Sequence, residues 1–222
     1  MRRRLRHEFG EPLLTLLAIL FAFTVFLFAP LQALGIFAFQ AFAILALLAI
    51  IGSMLVISDH PAALIVMSIA FVANVSVFFI RLLFTWPYNL HVLAVAWFAI
   101  SITLGAVVAQ AVFKSGKVSY HRVIGGILLY LLVAIMFGTL FIFVGLLWPD
   151  AFKGITFADD SGLASSVFYL SFVTLTSTGY GDIVPVHPIA RSLCNLESVI
   201  GQLFPATLLA RLVTLELRER SS

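Results

Sequence analysis

Apolar segments long enough to cross a bilayer recur along this chain, and each stops at proline, glycine or charge. By hydropathy they lie at 13–28, 31–57, 62–84, 90–113, 123–148 and 189–213. Pro30, the run Ser58-Asp59-His60-Pro61, Trp86-Pro87 and Pro149 mark breaks between them, as helix ends should. A hydrocarbon core asks for about 20 apolar residues per spanning helix. A water-soluble fold cannot hide six such segments. Of the 222 residues, 62% are hydrophobic and 10% charged, far from the balance of a soluble domain. The expected fold is an all-α membrane protein with six transmembrane helices.

A seventh apolar stretch, 163–176, is too short to cross. Its helix would reach about 21 Å, at about 1.5 Å per residue, against a hydrocarbon core of about 30 Å. It should enter and turn back, as a re-entrant segment between the fifth and sixth helices. Irregular backbone at that depth is tolerated only where protein or a water-filled path surrounds it. The following residues, TSTGYGD at 176–182, therefore belong in a protected place.

Charge sets an orientation. The chain carries thirteen Lys and Arg. Arg2, Arg3, Arg4 and Arg6 form one cluster, Lys114, Lys117 and Arg122 a second, and Arg211, Arg218 and Arg220 a third. With the N-terminus in the cytoplasm and six crossings, all but Arg81, Lys153 and Arg191 fall on the cytoplasmic side. Asp150, Asp159, Asp160 and Asp182 then face out. That agrees with the positive-inside rule and makes both termini cytoplasmic. The first apolar segment follows a basic start, as in a signal peptide, but it leads straight into further spans and is read as retained. The basic clusters flank membrane helices, so no nucleic-acid partner is expected. Cys194, the single cysteine, forms no internal disulfide. The five histidines are scattered and neither HExxH nor a paired-acid motif occurs, so the chain is not expected to be an enzyme.

TSTGYGD has a chemistry of its own. Gly179 and Gly181 admit torsions that side chains forbid, so successive carbonyl oxygens can turn to one side. Several such strands around an axis would stack rings of oxygen able to replace a cation's water shell. One strand cannot close a ring, so an oligomer is required. The C-terminal end of the short helix would add partial negative charge toward the same axis. A nucleotide-binding turn is excluded, because GYGD lacks the third glycine, the preceding strand and a soluble domain.

The stretch resembles the pore signature of tetrameric potassium channels, Thr-x-Gly-Tyr-Gly-Asp. The resemblance covers about the last hundred residues: outer helix 123–148, pore helix 163–176, filter 177–181 and inner helix 189–213. It implies a homotetramer in membrane lipid that passes K⁺ without any cofactor. The oxygens of Ser177, Thr178, Gly179, Tyr180 and Gly181 would line the path, with K⁺ held at Ser177, Thr178, Gly179 and Tyr180. Asp182 would sit at the outer mouth. Compactness and resemblance imply a bacterial plasma membrane. The chain departs from the family in three places. Ser177 stands for the usual threonine, Thr178 for valine or isoleucine, and Val173 for a pore-helix glutamate. Asp182 then needs another partner, Tyr169 or a backbone amide. Thr176 and Glu197 are candidates for filter support or the cavity. Glu197 either lines the cavity or hydrogen-bonds behind the filter to Ser171, Thr174 or Thr176, with Asn195 in the same network. Gly201 lies where the family often carries a gating hinge, and Pro205 follows; a static kink is the alternative.

Three regions follow: a four-helix membrane domain at 1–113, a cytoplasmic linker at 114–122 and a pore domain at 123–222. The fourth segment holds no Arg or Lys, so little voltage dependence is expected. Asp159 and Asp160 are expected in a solvated acidic turn, His187 at the interface, and Asp59-His60 as helix-turn capping. A potassium-selective channel is the leading expectation. A weakly selective cation channel and a non-conducting scaffold remain open.

Overall fold

The structure, a computed structural model, describes residues 2–34, 61–84, 86–113 and 120–220. Most of the second expected span, the Asp59-His60 turn and residues 114–119 of the linker lie outside the described residues. Helix α1, Arg2–Phe23, passes through a π-helical turn at Thr24–Phe28 into α2, Ala29–Ala33. Then come α3 (Pro61–Leu83), α4 (Asn89–Val112), α5 (Tyr120–Leu147), α6 (Leu163–Leu175) and α7 (Pro188–Arg220). Among the described residues, five helical stretches are long and apolar enough to cross a membrane. The protein is an integral membrane protein.

Two expected boundaries move. The first span does not stop before Pro30 but runs on to Ala33. Proline has no amide hydrogen, and its ring clashes with the carbonyl four residues back. The turn ahead of it is wide instead: the Ala29 amide donates to Thr24 O, five residues back, which opens the ladder there. The last helix continues past 213 to Arg220, because TLELRER holds no glycine or proline to break it.

Helix α5 is the hub. It packs against α1, α4, α6 and α7, and 67% of its span is buried, against 17% for α7. Leu128, Leu132 and Ile135 join α1 and α4 in one apolar cluster. Phe137 and Phe141 join α6 and the start of α7 in another. In lipid such contacts gain from close packing rather than from leaving water.

The two ends of the bundle differ. At one, Thr15 Oγ1 and His121 Nδ1 lie 2.7 Å apart and tie α1 to α5. The buried Arg122 donates from Nε to Val112 O at 3.1 Å. At the other, Arg81 of α3 pairs with Asp159, and Trp148 stacks on His187 at 4.5 Å. Here β1 (Phe152–Lys153) pairs antiparallel with β2 (Val184–Pro185), Phe152 opposite Pro185 and Lys153 opposite Val184. The amides of Val186 and His187 both donate to Ala151 O, at 2.8 and 3.1 Å. The segment between α5 and α7 therefore leaves and returns at one point, on the same end of the bundle.

Candidate functional site

The short helix α6 is anchored first at its start. Asp160 Oδ1 accepts the amides of Gly162 and Leu163, each at 2.8 Å. This satisfies two of the donors that a helix leaves open, and it sets an acid at the positive end of the helix dipole. Asp159 beside it is held by Arg81. Both acids are exposed, yet each has a definite partner, so the turn is more ordered than a merely solvated one.

At its other end α6 runs directly into 176–182. Four consecutive amides fold back onto the helix. Thr176 donates to Phe172 O, Ser177 to Thr174 O, and Thr178 and Gly179 both to Val173 O, at 3.0, 2.9, 2.8 and 3.1 Å. Ser177, Gly179 and Gly181 have φ of +56°, +54° and +83°, whereas Thr178 and Tyr180 are not left-handed. Alternating backbone hands of this kind gather successive amides on one side. The carbonyls must then point to the other. Among the described residues, no hydrogen bond reaches the carbonyl oxygens of 177–181. All five residues are exposed on the protomer, Tyr180 at 72%.

Side chains fix this irregular segment from both flanks. The Thr176 hydroxyl donates to Phe172 O at 2.7 Å, so the 2.8 Å contact with Thr178 places the Thr178 proton on Thr176. Gln202 Nε2 donates to Ser177 Oγ at 2.9 Å. At the segment's far end Tyr169 OH donates to Asp182 Oδ1 at 2.9 Å, and the Tyr169 ring stacks on Tyr180 with 3° between planes. Of the two partners expected for Asp182, the structure has Tyr169. Val173 itself contributes only its carbonyl.

Helix α7 crosses behind the end of α6. Ser198 Oγ donates to Thr174 O at 3.0 Å, and Tyr130 OH from α5 reaches Leu175 O at 3.4 Å. Glu197 is fully buried on the α6 side, in contact with Ser171. Of the two expected positions for Glu197, the one behind the strand is occupied. Asn195 does not join it: the side chain is exposed, because two residues along a helix turn it by about 200° at 3.6 residues per turn. Gly201 sits at the crossing itself. A Cβ there would collide with the carbonyl oxygen of Leu175. Pro205 lies within the continuous helix and leaves the Gly201 carbonyl without its usual amide.

Gln202, Ser198 and Tyr130 were not singled out from the sequence, and Asp160 was read only as part of a solvated acidic turn, not as the anchor of α6. A signal for the first two existed. Ser198, Gly201 and Gln202 stand at i, i+3 and i+4, a small and polar stripe on one helix face. Nothing in the sequence marked Tyr130.

A bundle of apolar helices, a loop that returns to its own starting point and an irregular segment with bare carbonyls together define a helical membrane protein. Residues 129–217 match the family model described as Ion channel. The match spans most of α5, all of α6, the segment at 176–182 and nearly all of α7; α1 to α4 lie outside it. No curated protein and no solved structure matches the chain.

Proposed function

We propose that four copies of this chain form a potassium-selective channel, with Ser177, Thr178, Gly179, Tyr180 and Gly181 as the filter. One observation carries this: among the described residues the carbonyls of 177–181 accept no hydrogen bond, and all five residues are exposed on a single chain. In hydrocarbon each unsatisfied backbone group costs several kcal/mol. Four strands facing one axis remove that cost, because the carbonyls then meet water and cations instead of lipid. Rings of backbone carbonyl are the coordination that dehydrated K⁺ needs. α6 is the pore helix, entering from the outer face with its negative end toward the axis. Asp182 stands at the outer mouth, and Thr176 and Glu197 support the filter. Gly201 and Pro205 are where the inner helix bends when the gate moves. Conduction is passive, both termini are cytoplasmic and the membrane is the bacterial plasma membrane. The first four helices surround the pore; α4, without Arg or Lys, is no voltage sensor.

The Thr176–Thr178 hydroxyl pair favours a second reading, a less selective cation channel. It sets a polar contact where valine or isoleucine is usual. Reversal potentials of the reconstituted protein under opposed K⁺ and Na⁺ gradients separate the two. A potential near the K⁺ equilibrium value is expected. A value near zero establishes the weakly selective pore, and absence of current from protein that is inserted and tetrameric overturns both.

A further inference from the structure

Ser171 holds more contacts than it has protons. Its Oγ lies 2.6 Å from Ala134 O and is also hydrogen-bonded to Glu197 Oε1. Both side chains are fully buried, at 0% exposure. A serine hydroxyl owns one hydrogen, and a backbone carbonyl owns none to give. If the serine donated to an ionised Glu197, its oxygen and that of Ala134 would meet at hydrogen-bond distance with no proton between them. Both contacts are full two-centre hydrogen bonds only if the carboxyl brings a proton of its own, since one hydrogen shared between two such close acceptors is poorly aligned to each.

The surroundings agree. Glu197 Oε2 is buried without a partner. Among the described residues the groups that interact with this carboxyl are Tyr130 from α5, Ser171 from α6 and Cys194 from α7, and none of them is basic. The ion pair found among the described residues, Arg81–Asp159, lies elsewhere. A buried carboxylate with one hydrogen bond and no cation is costly. For a neutral acid the same Oε2 is a plain carbonyl oxygen, whose unmade hydrogen bond costs far less than a bare buried charge.

We infer that Glu197 is a neutral carboxylic acid whose O–H donates to Ser171 Oγ, which donates in turn to Ala134 O. This two-step chain joins α7, α6 and α5 directly behind the strand 176–182. It makes Glu197 a positioning residue, fixing the inner helix against the pore helix through a donated proton rather than a charge. The inference deepens the channel function proposed above and rests on it for its consequence, but not for its chemistry.

Infrared difference spectra of the full chain in lipid at neutral pH test it, with wild type compared against Glu197→Gln. A carbonyl band of a protonated carboxylic acid is expected in wild type, shifted in D₂O and missing from the variant. Ser171→Ala should move that band, since the acid loses its acceptor; this carries the assignment if Glu197→Gln fails to insert. No such band in wild type overturns the inference. In flux, glutamine can still donate to Ser171 and should keep most of the K⁺ current, whereas Glu197→Ala should lose about tenfold or more. Equal loss in both variants also counts against it, because it would make the charge essential. The spectrum needs no conduction. Protein that shows the band yet passes no ion overturns the channel function and leaves the neutral acid standing.

Discussion

Gly179 and Gly181 are glycines for conformation rather than for space. An added Cβ would meet nothing within 4 Å at either, but both have left-handed φ. A side chain there costs about 1–2 kcal/mol, enough to turn the peptide and its carbonyl away. Gly179→Ala is therefore expected to abolish K⁺ flux while insertion and helix content stay as in wild type. Liposome flux and circular dichroism on one preparation check both halves. Ser177 makes the instructive contrast. It accepts φ +56° with a side chain, and it is held there by Thr174 through its amide and by Gln202 through its hydroxyl. Strain of this kind persists where neighbours over-determine it. The sequence marked Ser177 as a departure in size, whereas its hydrogen bonds carry as much of its role.

Among the helices, the crossing of α6 by α7 decides what Gly201 does. Two effects of Gly201→Ala oppose each other. Alanine favours an isolated helix over glycine by about 1 kcal/mol. At the crossing its methyl strikes the carbonyl of Leu175, and overpacking costs about 1–3 kcal/mol. The second should win, since the obstacle is backbone and cannot swing aside. A lowered melting temperature of the purified protein is expected, by a few degrees, together with reduced flux. A raised melting temperature would mean that Gly201 is there for bending alone. Pro30 is decided closer by, in its own helix. As a local signal it predicts a helix end, but the π-turn at Thr24–Phe28 absorbs the missing hydrogen bond and the helix continues.

For the molecule as a whole, the exposed segment 176–182 and the lightly buried α7 are two open surfaces. Leu196, Val199 and Leu203 are each more than half exposed, which lipid alone would accept. Unbonded carbonyls lipid would not accept. Native mass spectrometry in mild detergent should give a species of four times the 24.3 kDa subunit; a strictly monomeric protein would remove the basis for the filter. What the sequence determined by itself was whatever depends on short-range pattern. Apolar length set the spans, the short run at 163–176 set a segment that turns back, and the spaced glycines set the hand of the backbone at 179 and 181. What only the tertiary structure decided was which side chains meet across helices. The place of Glu197 against Ser171, the exposure of Asn195, the grip of Gln202 on Ser177 and the contact at Gly201 all follow from the register of α7 on α6. That register is set by packing between residues more than 20 positions apart, and no local propensity encodes it.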